Sequence, residues 1–178
     1  DISEGMVNDA RRNIGNGMFD YGVADCMNLP FDDNSFDCVI ANHVIFYCEE
    51  PGKAFKEIKR VLKPRGKAVF STYGSHHMQE IAQLVNQFDK RIVLSADVLY
   101  EKFGLDNGER LLKKYFNKVD KRLYDDYLLV DVAEPIIEYI LSCHGNQNHY
   151  LLDRYSDFKA FIMKKTRKPL KITKEAGV

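Results

Sequence analysis

The sequence predicts an α/β domain with a mostly parallel sheet flanked by helices. Three observations predict it. Helix-like and strand-like stretches alternate through residue 73. The connections between them are short, so each helix can serve as a right-handed crossover between parallel strands. One strand candidate, Phe36 to Ala41, is a compact apolar run of the kind that parallel sheets bury on both faces.

Each element has a local reason. Ser3 to Ile14 reads as a helix: Ser3 can cap it, Glu4 suits its first turn, and Met6, Val7, Ala10 and Ile14 recur at helical spacing. Gly15 and Gly17 end it. Phe19 to Ala24 reads as a short strand, and Leu29 to Ser35, with Pro30 and an Asp-Asp-Asn-Ser cluster, as a loop. Pro51 opens a helix that runs to Leu62, with Ala54, Ile58, Val61 and Leu62 as its apolar stripe. Lys63 to Gly66 breaks it, and Lys67 to Tyr73 is the next strand. Further on, helices are expected over His76 to Phe88, Glu109 to Phe116, Glu134 to Cys143 and Asp157 to Lys165. A strand is expected over Lys121 to Val130, and Leu170 to Thr173 begins a last one.

Composition narrows the functional classes. The chain of 178 residues is long enough for one sizeable core. Lys plus Arg and Asp plus Glu are both 26, so the surface as a whole has no bias toward nucleic acid. The basic end from Lys164 to Lys174 reads as a solvated edge, with phosphate binding as the alternative. No apolar run approaches the roughly 20 residues that span a bilayer, and DISEGMVNDARR lacks the apolar core of a signal peptide. The four cysteines, Cys26, Cys38, Cys48 and Cys143, form no CxxC pair. They read as reduced thiols of a cytoplasmic protein, with no metal site expected.

Several stretches together resemble one family. Asp1 to Met6, Ala24-Asp25, Leu29-Pro30-Phe31, Asn34-Ser35-Phe36-Asp37, Ala54, Glu57, Arg60 to Pro64 and Gly66 stand in the order and spacing of class I methyltransferases that use S-adenosylmethionine. The likeness is to the small-molecule subgroup called type 11. It covers about residues 1 to 73, and Phe103-Gly104-Leu105 and Asn107-Gly108 resemble the later, variable half. The resemblance implies a Rossmann-like methyltransferase fold. Residues 1–75 would form the later part of the cofactor-binding core, 76–118 a helical lid or substrate insert, and 119–178 a strand-helix-strand completion of the same domain.

The resemblance also implies site residues. Asp1 would accept from both ribose hydroxyls, since a carboxylate offers two acceptor oxygens. Ile2 and Met6 would meet the adenine face. Asp25 would accept from the adenine amine, the Cys26 N–H would reach a ring nitrogen, and Leu29 and Phe31 would wall the pocket. Asn42 would contact the methionine part of the cofactor. His43 would face substrate and serve as general base, because its ordinary pKa of about 6.5 suits proton removal near neutrality. Tyr47 and Tyr73 are further substrate-side candidates. Read alone, Asp1 also fits a helix-flanking acid, Asp25 a turn former, His43 a packed helix-flanking histidine, and both tyrosines core packing.

The family's glycine-rich turn, GxGxG, is not in this sequence. The fold is therefore expected to be incomplete, without the first strand, the first helix and most of the second strand. Part of a longer chain, a truncated product, or a strand supplied by another copy would each explain this. Edge-paired or swapped homodimers are a plausible consequence.

The expected activity is methyl transfer from S-adenosylmethionine to an O, N or C nucleophile of a small molecule. Neither a base-amino methylation motif nor a Pro-Cys pair follows Ala41, which argues against nucleic-acid substrates. Two rivals remain. A non-catalytic methyltransferase-like binding domain fits the missing motif. A short-chain nicotinamide dehydrogenase fits Tyr155 and Lys159 at YxxxK spacing, with Ser142 13 residues before Tyr155, but no cofactor turn supports it. The 178-residue chain alone is expected to bind S-adenosylmethionine weakly or not at all. Calorimetric titration checks this, and tight binding would contradict it.

Overall fold

A computed structural model describes residues 1–15, 17–95 and 98–178. Its elements are α1 (Glu4–Ile14), β1 (Phe36–Asn42), a 3₁₀ turn (Ile45–Tyr47), α2 (Pro51–Val61), β2 (Leu62–Tyr73), α3 (Gln79–Phe88), α4 (Leu99–Lys102) and α5 (Gly108–Leu112). After them come β3 (Leu123–Val130), α6 (Ala133–Ser142), α7 (Gln147–Leu151), a second 3₁₀ turn (Leu152–Arg154), α8 (Tyr155–Lys165) and β4 (Leu170–Gly177). The chain divides into two compact units, residues 1–71 with 107–120, and residues 72–106 with 121–178. The sequence placed its divisions at 75/76 and 118/119. Residues 107–118, expected in the insert, and 119–120, expected in the completion, pack with the first unit.

In the first unit, Ser3 caps α1 by accepting from the Met6 N–H (3.3 Å), as expected. Gly15 ends it at φ 84°, a left-handed conformation that glycine adopts without strain, and its N–H returns to the Arg11 carbonyl at 3.0 Å. β1 and β2 pair in parallel from Cys38↔Lys67 to Asn42↔Ser71. The turn between α2 and that ladder passes Arg65 at φ 70° and Gly66, where a Cβ would stand 2.9 Å from the Lys63 carbonyl oxygen and 3.2 Å from that of Asp37. α2 buries Ala54, Phe55, Ile58 and Val61. The Phe55 ring meets Phe70 (5.6 Å) and Tyr115 (5.3 Å), and Phe70 meets Phe116 (5.7 Å). These aromatic contacts are what bind residues 107–120 to the first unit.

Two expectations are corrected here. Phe19–Ala24 is not a strand: the Ala24 N–H donates to the Asp1 carbonyl (2.9 Å), but no ladder forms. A strand needs a partner to satisfy its alternate backbone groups, and this segment has one such bond. β1 is not buried on both faces. Ala41 is buried at 5% exposure, but Ile40 is 69% exposed. Among the described residues β1 pairs with β2 alone. The side chains of Val39 and Ala41 share the face of Phe70, while Cys38 and Ile40 point the other way.

In the second unit, β4 pairs antiparallel with β3 over its whole length and with Thr72 and Tyr73 at the end of β2. β4 begins at Leu170, as expected, and runs to Gly177. Its core gathers Leu84 and Val85 of α3, Ile140 of α6, Leu151 of α7, Phe158 of α8 and Ile172 of β4. Asn146 ties two loops: its N–H donates to the Val93 carbonyl (3.0 Å), while its Oδ1 accepts from the Val93 N–H (2.7 Å). The short helices α4 and α7 were not foreseen, since four- and five-residue helices show too few turns for a periodic signal.

Asp89 closes α3. Its carboxylate accepts from the Arg91 Nε (2.9 Å) and Nη2 (2.6 Å) and from the Arg154 Nη1 (3.0 Å). These two guanidinium groups lie over Tyr150 and Phe88 respectively. Hydrogen bonds from Arg91, with a lesser one from Arg154, hold the Asp89 carboxyl far below the usual carboxylate range. A depressed folded-state value means that the stabilisation is complete above the unfolded Asp value of about 3.9 and fades as pH falls further. Asp89→Asn is expected to lower the melting temperature at neutral pH, with the gap to the parent narrowing below about pH 4. Thermal unfolding across a pH series checks it.

Candidate functional site

The candidate site lies in the first unit and is assembled from four short segments. At the chain start, the Asp1 Oδ1 accepts from the Ser3 N–H (2.8 Å). Ile2 and Met6 are exposed beside it. The Ala24–Asp1 backbone bond brings Asp25 to the same end of the unit.

Asp25 makes a tight turn. Its Oδ1 accepts from the Met27 N–H (2.8 Å) and its carbonyl from the Asn28 N–H (3.0 Å). This is the turn-forming role that Asp favours on its own. It leaves Oδ2, and the neighbouring Cys26 N–H, without a hydrogen-bond partner among the described residues. An acceptor and a donor therefore stand on adjacent residues. The Cys26 side chain turns toward Cys48, with the two sulfurs 3.0 Å apart.

The loop that follows is held by α2. The Leu29 N–H donates to Glu57 Oε2 (2.9 Å). Arg60 donates to Glu57 through Nε (2.9 Å) and Nη2 (2.8 Å), to the Leu29 carbonyl (3.0 Å), to the Phe31 carbonyl (2.8 Å) and to Asp33 Oδ1 (2.7 Å). Hydrogen bonding from Arg60, partly offset by burial, lowers the Glu57 carboxyl below its ordinary value. Phe31, expected in the pocket wall, is 45% exposed and packs edge-on against Phe36 (4.9 Å).

At the end of β1, Ser71 joins two candidates. Its Oγ donates to Asn42 Oδ1 and accepts the His43 N–H (3.1 Å). His43 stands at φ 51°, a left-handed conformation uncommon for a side-chain-bearing residue. The His43 ring faces Phe46 (6.0 Å), and Tyr47 is 67% exposed on the 3₁₀ turn. Contacts thus run from Asp1 through Ala24 to Asp25 and Cys26, across to Cys48 beside Tyr47, and back along the chain to His43, Asn42 and Ser71. Tyr73 belongs to the second unit, where its ring meets His77 (5.3 Å) and Tyr100 (6.4 Å).

Residues 1–70 match a family described as a methyltransferase domain. That stretch, under half of the chain, is similar to this family. Curated relatives similar to the chain are named as methyltransferases. The chain is 40% identical over 76 residues to a demethylmenaquinone methyltransferase of Clavibacter sepedonicus, covering 42% of this chain and 31% of that protein. It is 32% identical over 124 residues to a malonyl-[acyl-carrier protein] O-methyltransferase of Methylovorus, covering 66% of this chain and 40% of that one. The chain thus spans well under half the length of these curated relatives. Among solved structures, a proposed methyltransferase of Bacillus halodurans superposes with a TM-score of 0.59 at 14% identity, over 99% of this chain and 78% of that one. The YcgJ protein of Bacillus subtilis gives 0.58 at 16% identity, over 99% and 77%. These likenesses support the Rossmann-like methyltransferase fold.

Against this family frame, the dehydrogenase spacing is occupied otherwise. Lys159 pairs with Glu134 (3.1 Å), and the Ser142 hydroxyl donates to the Tyr139 carbonyl (2.8 Å). Four contributors escaped the sequence reading. Glu57 and Arg60 were noted in the family pattern but given no task, although opposite charges three residues apart on a helix are a usable signal. Ser71 depends on strand register, and the Cys26–Cys48 approach on tertiary packing; neither leaves a local signal. Glu57→Ala is expected to destabilise the first unit by about 2 kcal/mol, since it removes the Leu29 acceptor and leaves Arg60 underpaired. Urea unfolding checks it, with faster amide exchange at Leu29 as the local readout.

Proposed function

We propose that this protein is a methyltransferase that takes its methyl group from S-adenosylmethionine and delivers it to an O, N or C nucleophile of a small molecule. The observation that carries the reading is the Asp25–Cys26 pair. Its carboxylate Oδ2 and neighbouring N–H have no partner among the described residues, within the stretch that matches the family. One acceptor beside one donor fits the amine and adjacent ring nitrogen of adenine. When bound, the cofactor supplies an electrophilic methyl group on a sulfonium.

The chain's residues have the following proposed tasks. Asp1 accepts from the ribose hydroxyls, while Ile2, Met6 and Leu29 cover the adenine. Asn42, its side-chain oxygen held by Ser71, positions the methionine end. His43, its backbone fixed by the same hydroxyl, takes a proton from an acceptor that must lose one. Tyr47 is proposed to meet substrate. Most of the rate in such a transfer comes from holding donor and acceptor in line and excluding water. The relatives act on a quinone and on a carrier-bound malonyl group, by their names; the proposal here stays with a small-molecule acceptor. Dimers paired through strand edges belong to the same proposal.

Amide chemical shifts test the reading and detect millimolar binding. Titration with S-adenosylhomocysteine is expected to move Cys26, Met27, Leu29 and Asn42 most, and Asp25→Ala to abolish the Cys26 shift. Shifts confined to residues 121–178 would overturn it.

A further inference from the structure

We propose that Cys26 and Cys48 are a redox-active thiol pair, a modification site that a small-molecule disulfide such as glutathione disulfide converts into an intramolecular bond. The inference stands apart from the methyl-transfer reading, since it needs neither the cofactor nor a substrate. Its basis is placement. The two sulfurs are 3.0 Å apart although the residues are 22 positions apart in sequence. Each is anchored by local structure rather than by the other. Cys26 sits inside the Asp25–Asn28 turn, and Cys48 caps the Ile45–Tyr47 turn through its N–H to the Ile45 carbonyl (3.1 Å). A disulfide needs sulfurs about 2.05 Å apart, so closure asks for movement on the order of 1 Å. The remaining cysteines do not share this arrangement: Cys38 is exposed on β1, and Cys143 lies in the second unit.

The two thiols differ in a way that orders the steps. Cys26 is part-exposed, whereas Cys48 is buried at 5% exposure. Burial, then the Cys26 thiol beside it, pushes Cys48 up to about 12, so it remains a protonated thiol. Cys26, the reachable sulfur, attacks the small disulfide as its thiolate. One sulfur–sulfur bond forms, the small disulfide's own bond breaks, and one small thiolate leaves. Cys48 then gives up its proton to that thiolate or to water and attacks the Cys26 sulfur, expelling the second small thiolate. Two protein thiols and one small disulfide become one protein disulfide and two small thiols, so the exchange balances. Closeness compensates for the poor acidity of Cys48, because its attack is intramolecular. Closure ties the Asp25–Asn28 turn to the segment bearing Tyr47.

Peptide mapping tests this. The reduced, purified chain is incubated with glutathione disulfide, the remaining thiols are alkylated, and the protein is digested with trypsin and chymotrypsin. Chymotryptic cleavage after Phe31, Phe36 and Tyr47 separates Cys26, Cys38 and Cys48 onto different peptides. The expected product is a Cys26–Cys48 cross-linked peptide, lighter by two hydrogens than its parts and released by dithiothreitol. Cys48→Ser is expected to stop the reaction at glutathionylated Cys26, and Cys26→Ser to leave Cys48 unmodified. Stable glutathionylation of Cys26 in the parent chain, or a cross-link through Cys38 or Cys143 instead, would overturn the proposal. The parent-chain map decides it even if a variant fails to fold.

Discussion

A guanidinium group presents its N–H donors in a fixed plane, so one arginine can hold several acceptors only if they already lie in that plane. Arg60 does this at the candidate site. It joins Glu57 on its own helix to the Leu29 and Phe31 carbonyls and to Asp33 across the loop. The Leu29 N–H reaches the same Glu57 carboxylate. A loop rich in Pro and Asp would otherwise be among the most mobile parts of the chain. Here its backbone polar groups end on charged partners that are themselves paired, the condition under which partly buried charges stabilise rather than cost. The turn at Asp25 and Cys26 precedes this loop directly, so its position depends on the same clamp.

The helices with a full apolar stripe were legible in the sequence. α2 follows the pattern of Pro51, Ala54, Ile58 and Val61 almost to the residue, and α1 starts at its Ser3 cap as the local rule requires. The strands were legible as apolar runs, but their environment was not. Phe36–Ala41 looks the same to a sequence reader whether one face or both are covered, and Ile40 is exposed because nothing described packs on its side. Phe19–Ala24 has the composition of a strand and fails for want of a neighbour. The candidate residues followed the same division. Asn42 could be named because a strand-end position is local, and Asp25 because it stands in the family pattern, while Ser71 and Cys48 could not, because register and tertiary approach are not.

The end of β1 shows how register turns into chemistry. Asn42 faces Ser71 because the parallel ladder steps evenly from Cys38↔Lys67 onward. A single-residue slip would put Phe70 opposite Asn42 and leave the hydroxyl on the wrong face. With the register as it stands, one hydroxyl satisfies the Asn42 side chain and the His43 amide together. That second bond matters, since His43 is at φ 51° and a left-handed residue persists only when its surroundings over-determine it.

Both halves of the candidate site therefore trace back to packing away from it. Arg60 and Glu57 are placed by α2, and α2 is placed by Phe55 and Ile58 in the core of the first unit. Ser71 is placed by β2, whose neighbouring Phe70 is fixed between Phe55 and Phe116. Phe55 thus touches both lines of support. Truncating it would remove contacts on the helix that clamps the Leu29 loop and on the strand that orders Asn42. The polar groups named at the site would be displaced without any of them being changed, because close-packed interiors transmit such shifts rather than absorb them.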